Sequence, residues 1–283
     1  MSINFCHISP IKHLNRVSGR NHHLTLAHLV EENQEYVDFY VNEKKINPTN
    51  VNIMDNGGFE MYKQGREMYP ADKLIEMGSK VNADYIVLSD YPGERYSKTM
   101  FAAEELAPKF KQAGFGTFYV PQAEIGDIDG LIRSFVFAAT HHDIDYIGVS
   151  ILTAPNAYGV EKNNKLQRFL SRYSLCKLLS DTVEIDGLSY WDYIRVVGKK
   201  IHFLGMVDGP REIEYVKHLK IPITTWDSSA AIWAGLHGIS FDDSPTGLIN
   251  GKFEKEVEFD SDYEWTDIAQ SNIEYIDYLA RNY

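Results

Sequence analysis

The chain has 283 residues, of which 44% are hydrophobic and 24% are charged, which is typical of one large globular domain or two smaller ones. Two cysteines, Cys6 and Cys176, are too few for a disulfide scaffold or for a zinc site built on three or four thiolates. No apolar run reaches the roughly 18 residues of a membrane helix, and the first residues do not resemble a secretory signal. We therefore expect a soluble cytoplasmic protein.

The net charge of −12 is unevenly distributed, because residues 241–283 hold 11 acidic and three basic residues. Residues 1–30 contain no acidic residue at all. Local patches, not the total, set the potential that a phosphate backbone meets, so the acidic total does not exclude nucleic acid. We predict that a second basic stretch binds nucleic acid, although charge runs are also typical of solvated helix faces. Its predicted nucleic-acid-binding residues are Lys162, Lys165, Arg168 and Arg172.

Short apolar runs rich in β-branched and aromatic residues alternate with longer amphipathic stretches. The predicted strands are Leu24–Leu29, Val51–Met54, Tyr85–Leu88, Gly116–Val120, Tyr146–Ile151, Ile201–Met206 and Ile223–Trp226, with an eighth expected near Gly238–Phe241. The helix-like stretches between them include Ala71–Val81, Ala102–Gln112, Ile128–Thr140, Leu166–Leu179 and Pro210–Leu219. This alternation favours parallel βαβ units. Seven or eight such strands favour a (β/α)8 barrel over an open doubly wound sheet.

The chain shows no internal repeat or flexible linker that would divide it, so residues 1–283 are predicted to form a single barrel domain. Its acidic C-terminal segment, about 241–283, carries Ile273, Ile276 and Leu279 at helical spacing and is expected to dock on the barrel. Neither a G-x-G-x-x-G turn nor a P-loop is present, so a nucleotide cofactor is not expected.

Polar side chains follow four of the predicted strands, at Asp55, Asp90, Gln122 and Asp227. The C-terminal ends of barrel strands open into one mouth, so these side chains are expected to converge there. Three carboxylates in one cavity repel and desolvate each other, which costs stability unless the site uses them. A single strand-ending aspartate is more often a turn or a helix cap, but four polar strand ends in register favour chemistry.

Two separated carboxylates suit glycosyl chemistry, in which one attacks or stabilises the anomeric carbon and the other transfers protons at the leaving group. The Gly57-Gly58 pair allows positive φ angles and close approach of a flat ligand to the backbone. An amide such as Gln122 can pair with the polar edge of a base. Side chains that could sandwich such a base, each of which also fits core packing, are Phe59, Tyr91, Tyr158 and Met206.

These motifs resemble those of a known family. The segment Asp55–Glu60 is similar to the Asp-Ser-Gly-Gly-Phe-Gln signature of tRNA-guanine transglycosylases, which are (β/α)8 barrels. The resemblance continues in order along the chain, through segments similar to the strand that ends in the base-recognising aspartate, the strand of the base-binding glutamine, the backbone contacts to the base, the strand before the nucleophile, and the nucleophile itself. These segments are Asp84–Asp90, Tyr119–Gln122, Asp145–Ile151, His202–Val207 and Trp226-Asp227.

The sequence also departs from that family. The zinc site of three cysteines and a histidine is absent, because no cysteine follows Cys176. The Pro-Thr-Arg after the nucleophile is replaced by 228–231, Ser-Ser-Ala-Ala, while Asn56 and Glu60 stand for the signature serine and glutamine. A shortened barrel without the zinc-binding subdomain is most similar to the phage DNA-deazaguanine transglycosylases, which insert 7-deazaguanine bases into phage DNA and so block host restriction enzymes. If the protein is phage-encoded, the resemblance implies that it acts in the host cytoplasm.

The resemblance implies exchange of guanine in a polynucleotide for a 7-deazaguanine base such as preQ0 or preQ1. Asp227 would be the nucleophile and Asp55 the proton donor and acceptor, while Asp90 and Gln122 would recognise the guanine edge. The exchange needs no redox cofactor and no metal. The other substrate-binding residues implied are Asn56, Gly57, Gly58, Phe59, Tyr91, Ser150, Ile151, Gly205 and Met206.

Three alternatives remain open at this point: a tRNA enzyme that works without zinc, a glycoside hydrolase or nucleosidase, and a non-catalytic barrel that binds nucleic acid. The expected partners are a nucleic acid, DNA rather than tRNA, and a deazaguanine base, with partner proteins or a homodimer left open and no membrane. The adjacent pairs His22-His23 and His141-His142 cannot both face one metal ion from a regular element, so no metal site is expected.

Overall fold

A computed structural model describes residues 2–161, 164–206, 209–243 and 257–283. Lys162 of the predicted basic stretch lies outside the described residues, as does the side chain of Lys165. The strands are β1 Asn4–His7, β2 His22–Leu26, β3 Val51–Asp55, β4 Tyr85–Val87, β5 Gly116–Tyr119, β6 Tyr146–Ser150, β7 Glu184–Ile185, β8 Leu188–Ser189, β9 Lys200–Leu204 and β10 Ile223–Ser228.

Helices alternate with these strands and cover the outside of the sheet. They are α1 Ala27–Glu32, α2 Gln34–Ile46, α3 Gly58–Gln64, α4 Ala71–Lys80, α5 Tyr96–Gln112, α6 Ile128–Thr140, α7 Thr153–Ala157, α8 Lys165–Thr182, α9 Tyr190–Val197, α10 Glu212–Lys217, α11 Ala230–Leu236 and α12 Asp267–Arg281, with 3-10 helices at Ile11–Val17 and Phe241–Asp243. Short polar side chains cap several of them, as where Asp127 accepts a hydrogen bond from the Gly130 amide at the start of α6. Within the described ranges, no helix is long and apolar enough to cross a membrane.

Eight strands form one parallel sheet in the order β1-β10-β9-β6-β5-β4-β3-β2. The edge strands β1 and β2 contact each other, so the sheet curves into a nearly closed barrel. The remaining two strands, β7 and β8, form a small antiparallel pair outside it. The predicted (β/α)8 fold is therefore confirmed, because helices connect successive strands of one parallel, nearly closed sheet.

The eighth strand of the barrel differs from the prediction. It is β1, at the N-terminus, whose Cys6 lies opposite Asp227 of β10. The predicted strand Gly238–Phe241 is wrong, since these residues form a turn that leads into a 3-10 helix. The strand predicted over Leu24–Leu29 likewise ends at Leu26, where α1 begins.

Aromatic rings from three strands pack inside the barrel. Phe118 of β5 stacks on Tyr146 of β6 at 5.5 Å between ring centres and also contacts His202 of β9 at 5.2 Å. Strands β5 and β9 are not neighbours in the sheet, so a contact between them must cross the barrel interior. Phe118, Tyr146 and His202 are fully buried. These buried rings fill part of the barrel interior, as the core of such a barrel requires.

The acidic C-terminal segment ends in α12, which docks on the barrel as the helical spacing predicts. Ile273, Ile276 and Leu279 are buried, and the Ile3 amide donates a 2.8 Å hydrogen bond to the Ala280 carbonyl. A Cβ at Gly235 of α11 would lie 2.2 Å from the Ala269 backbone, so this glycine allows the two helices to pack closely.

Candidate active site

The C-terminal strand ends open into a cavity of about 210 Å³. Nine of the predicted catalytic and substrate-binding residues line it, drawn from six different strands or the segments that follow them. These nine are Asp55, Asn56, Phe59, Asp90, Gln122, Ser150, Ile151, Gly205 and Asp227. The structure therefore brings together both predicted catalytic aspartates and the two predicted base-recognition residues.

Asp227, near the end of β10, is buried at the cavity wall, and two donors hold one of its oxygens. The His202 Nε2 atom lies 2.8 Å from Asp227 Oδ1, and the Gly205 amide donates to the same oxygen at 3.2 Å. His202 is fully buried, and its Nδ1 lies 2.7 Å from the Thr225 hydroxyl. Both His202 and Gly205 come from β9 or the residue after it, so the neighbouring strand fixes the carboxylate.

The two hydrogen bonds of His202 define its tautomer. An ionised Asp227 accepts but cannot donate, so His202 donates through its Nε2–H. The Nδ1 atom faces the Thr225 hydroxyl, so both ring nitrogens have hydrogen-bond partners. Because the donors from His202 and Gly205 converge on Oδ1, the other oxygen, Oδ2, is the one available to a ligand.

Asp90 is held by amide groups rather than by a cation. Asn56 donates to Asp90 Oδ1 at 2.8 Å, and the Gln122 amide nitrogen donates to Asp90 Oδ2. The Gln122 carbonyl oxygen in turn accepts from the Thr153 hydroxyl at 3.2 Å. Burial raises the pKa of Asp90, while the two amide donors oppose that shift. Asn56 uses its second N–H on the Leu88 carbonyl, 2.6 Å away, whereas the second N–H of Gln122 remains as a donor for a base edge.

The Gly57-Gly58 pair serves two different purposes. Gly57 adopts a φ of 71° immediately before α3, a conformation that favours glycine. At Gly58, a Cβ would lie 2.8 Å from Asp90 Oδ1 and 2.9 Å from Asn56 Oδ1. The sequence predicts that a flat ligand approaches the backbone here, but at Gly58 the side chains of Asp90 and Asn56 occupy that space.

Asp55, at the end of β3, faces the cavity among other acids. Burial raises its pKa well above the ordinary value, and the negative charges of Glu60, Asp90 and Asp227 raise it further. Glu60 lines the same cavity, and its Oε2 lies 3.9 Å from His28 Nδ1. Neither of these two buried atoms has a hydrogen-bond partner among the described residues. Asp55 is therefore the carboxyl group of this site that most favours its protonated form.

Five other predicted residues do not line the cavity, namely Gly57, Gly58, Tyr91, Tyr158 and Met206. Gly58 and Tyr91 line a neighbouring groove together with Asp90. Met206 is buried just after β9, and Tyr158 is 37% exposed beyond α7. Of the four predicted sandwiching side chains, only Phe59 lines the cavity, where it is 43% exposed.

The prediction that Arg172 binds nucleic acid is wrong, because its side chain is completely buried beneath the site. Its guanidinium forms a bidentate ion pair with Glu212, which is also buried. It also donates to the Val149 and Leu204 carbonyls at 3.1 and 2.9 Å and to the Gly205 carbonyl at 3.0 Å. Arg172 thus ties the end of β6 to the end of β9. Arg168, one turn earlier, is half-buried.

His202 and Glu60 are site residues that the sequence analysis did not assign. A lone histidine in the otherwise apolar run Ile201–Leu204 was the available signal for His202. Two-residue alternation places it on the same face of β9 as Leu204, which lines the cavity. For Glu60, the available signal was that a charged residue stands where the similar Asp-Ser-Gly-Gly-Phe-Gln signature has its glutamine.

One group of potential metal ligands occurs in the described part of the chain. The ligand atoms of His141, His142 and Asp143 lie within 4.8 Å of one another. Adjacent histidines in a regular helix or strand cannot both face one metal ion, but His141 and His142 follow the end of α6 and their rings stack. The group precedes β6 and lies at the opposite end of the barrel from the cavity.

No protein-family model matches the sequence, and no curated protein matches it. Among solved structures, the HpcH/HpaI aldolase from Desulfitobacterium hafniense DCB-2 matches with a TM-score of 0.50 and 9% identity, over 84% of this chain and 89% of that one. The citrate synthase SbnG matches with a TM-score of 0.48 and 12% identity, over 84% and 91% of the two chains. N-(5'-phosphoribosyl)anthranilate isomerase from Pyrococcus furiosus matches with 0.47 and 10%, over 100% of both. At such identities the likeness concerns the barrel fold alone, so the resemblance to tRNA-guanine transglycosylases rests on the motifs.

Proposed function

We propose that this protein is a base-exchange transglycosylase that replaces guanine in a polynucleotide, DNA rather than tRNA, with a 7-deazaguanine base. The observation that carries the proposal is that two carboxylates in one cavity have different surroundings. Asp227 is held at one oxygen by two N–H donors, whereas burial and neighbouring acids favour the protonated form of Asp55. A nucleophile and a proton donor are the pair that glycosyl exchange needs.

In the first half-reaction, the target guanosine leaves the base stack and enters the cavity, at a cost of about a few kcal/mol. Asp227 Oδ2 attacks C1′, and the C1′–N9 bond breaks with its electron pair moving to the base. Asp55 gives its proton to the departing guanine. The products are free guanine and an ester between Asp227 and the sugar, while His202 and Gly205 stabilise Oδ1 throughout.

In the second half-reaction, the incoming deazaguanine occupies the place of guanine. Asp55, now ionised, takes the proton from N9 of the incoming base as that nitrogen attacks C1′. The ester bond breaks and Asp227 regains its negative charge, so protons and electrons balance over the cycle without a cofactor. Asp90 accepts from the N1–H and N2–H donors shared by guanine and 7-deazaguanine, and Gln122 donates to the carbonyl oxygen.

The proposal favours DNA because the zinc subdomain and the Pro-Thr-Arg of the tRNA enzymes are missing from the sequence. Radiolabelled guanine should therefore be incorporated into guanine-containing duplex DNA and not into unmodified tRNA, with Asp227→Ala as the inactive control. Incorporation into tRNA alone would show that the substrate is tRNA rather than DNA, while the base-exchange chemistry of the proposal would stand. Release of guanine without incorporation would identify a hydrolase. If guanine is neither released from nor incorporated into either polymer, that result would contradict base exchange.

A further inference from the structure

A second cavity, of about 430 Å³, lies directly beside the catalytic one. Asp90 and Pro92 line both cavities, so the carboxylate proposed to recognise the target base forms part of the wall between them. The volume of this groove falls in the range of pockets that hold molecules of nucleotide size. Its lining residues are Gly58, Tyr62, Arg66, Glu67, Met68, Asp90, Tyr91, Pro92, Glu94 and Lys98.

The groove combines aromatic rings with cations. Tyr62 on α3 is 62% exposed, so its ring is accessible to a ligand in the groove. On the opposite wall, Lys98 Nζ lies 4.1 Å from the centre of the Tyr91 ring and also pairs with Glu94 at 2.7 Å. Arg66 supplies a second exposed cation. Exposed rings beside cations are the means by which proteins hold single-stranded nucleic acid.

We propose that this groove binds the nucleotide next to the target guanosine, with its base stacked on Tyr62 and its phosphate against Arg66 and Lys98. The inference rests on the proposed base exchange and adds the position of the polynucleotide. A target nucleotide inserted into the catalytic cavity stays covalently linked to its neighbours, which must therefore lie at the mouth. The groove is the adjoining space, and Arg172, buried beneath the site, does not contribute to a competing surface on α8.

The charges of the groove limit how much of the strand it holds. Glu67 and Glu94 partly offset Arg66 and Lys98, so the groove suits one nucleotide and its flanking phosphates, not an extended duplex. For single strands each phosphate contact contributes about −0.7 to the slope of log affinity against log salt. Two phosphate contacts would therefore account for a slope of about −1.4.

The test is equilibrium binding of a fluorescent single-stranded, guanine-containing DNA oligonucleotide at several salt concentrations. Tyr62→Ala should weaken binding about tenfold, because it removes one stacking platform, while Tyr62→Phe keeps the ring and should bind like the wild type. Arg66→Ala combined with Lys98→Ala should flatten the salt slope by about 1.4. Lys217→Ala with Lys220→Ala removes two exposed cations before β10, at the far end of the barrel, and should change neither affinity nor slope.

Wild-type affinity and salt slope in both groove variants would overturn the inference, as would equal weakening by the Lys217 and Lys220 substitutions. Guanine exchange measured on the same samples separates this inference from the proposed function. If the wild type exchanges guanine and the groove variants have the same KM for DNA, the proposed role of the groove is contradicted while base exchange is not. Groove-dependent oligonucleotide binding without any exchange supports the groove and contradicts base exchange.

Discussion

Carboxylates at the two ends of the barrel have different partners. Before β4, Asp84 pairs with Lys44 at 2.7 Å and accepts from the Asn52 amide of the neighbouring strand. Before β6, Asp145 repeats this arrangement with Lys111 and the Thr117 amide. In both cases a lysine from a covering helix neutralises an aspartate that fastens two adjacent strands.

At the mouth, by contrast, Asp55, Asp90 and Asp227 have no lysine or arginine in ion-pair contact within the described ranges. Amides, an imidazole and a backbone N–H hold Asp90 and Asp227 instead. An ammonium group would stabilise a carboxylate but would also weaken it as a nucleophile and keep it from accepting a proton. Burial of carboxylates at the mouth therefore costs stability, whereas the ion-paired aspartates at the opposite end stabilise the barrel.

Replacing Asp227, the proposed nucleophile, is expected to have the largest effect on activity. Asp227→Asn keeps the volume of the side chain and one oxygen that can accept from His202 and Gly205 but replaces the attacking oxygen with an amide nitrogen, so exchange should fall by about 10⁴-fold or more. Thermal unfolding should be almost unchanged. Measured exchange within tenfold of the wild type would place the nucleophile elsewhere.

The second largest effect is expected from His202, the hydrogen-bond partner of the proposed nucleophile. His202→Phe leaves Asp227 Oδ1 with only the Gly205 donor, and kcat should fall by about 10²-fold, with little change in KM for the incoming base. His202→Gln restores an N–H donor and should recover part of kcat. A change confined to KM, or no recovery by glutamine, would contradict the assigned positioning role.

At the other end of the barrel, Asp84→Ala removes the partner of Lys44 and of the Asn52 amide. The free energy of unfolding should fall by about 2 kcal/mol, as measured by urea denaturation. Exchange activity at a temperature where the variant is folded should remain that of the wild type. Loss of activity in the folded variant would show that the two ends are not independent.

The mouth should respond in the opposite sense. Asp55→Asn removes a carboxyl group that burial and three neighbouring acids disfavour in its charged form. Because the pKa of Asp55 is higher in the folded than in the unfolded state, the unfolded state loses the proton more easily. Ionisation of Asp55 therefore favours unfolding once the pH exceeds the pKa of the unfolded state. The variant should therefore be more stable than the wild type at pH 7, by about 1 kcal/mol, and inactive. A loss of stability at neutral pH would remove the contrast between the two ends.

The smallest effect concerns pH. Glu60 is the neighbouring charge that most raises the pKa of Asp55, so Glu60→Gln should lower that pKa. The protonated form of Asp55 is then lost at a lower pH, and the alkaline limb of single-turnover guanine release should move down the pH scale. Glu104→Gln, which changes an exposed acid on α5 that lines neither cavity, is the matched control and should leave the limb in place.

Much of the fold was accessible from sequence because seven barrel strands are compact apolar runs between amphipathic helices. The eighth, β1, was missed because Asn4 and His7 place polar residues at both ends of a four-residue strand. Its burial depends on the barrel closing around it, which is a long-range effect. The mouth residues were predictable for the same reason as the strands, since each follows a recognisable apolar run.

Arg172 shows where the sequence argument failed. A stretch of lysines and arginines was interpreted as one exposed face, but Phe169 and Cys176, at helical spacing on either side of Arg172, are buried. That spacing was a local signal that Arg172 lies on the inner face of α8. Its compensating partner, Glu212, lies 40 residues away, so the ion pair that makes burial tolerable could not be deduced from the pattern.

The central claim is that Asp227 forms a covalent ester with the sugar of the target nucleotide. The most direct measurement incubates the protein with a guanine-containing DNA oligonucleotide, quenches with acid, separates the adduct on a denaturing gel and maps the modified peptide by mass spectrometry. The account predicts one adduct, on Asp227, that is absent from Asp227→Asn. An adduct on Asp55, or exchange that proceeds without any adduct under single-turnover conditions, would contradict it.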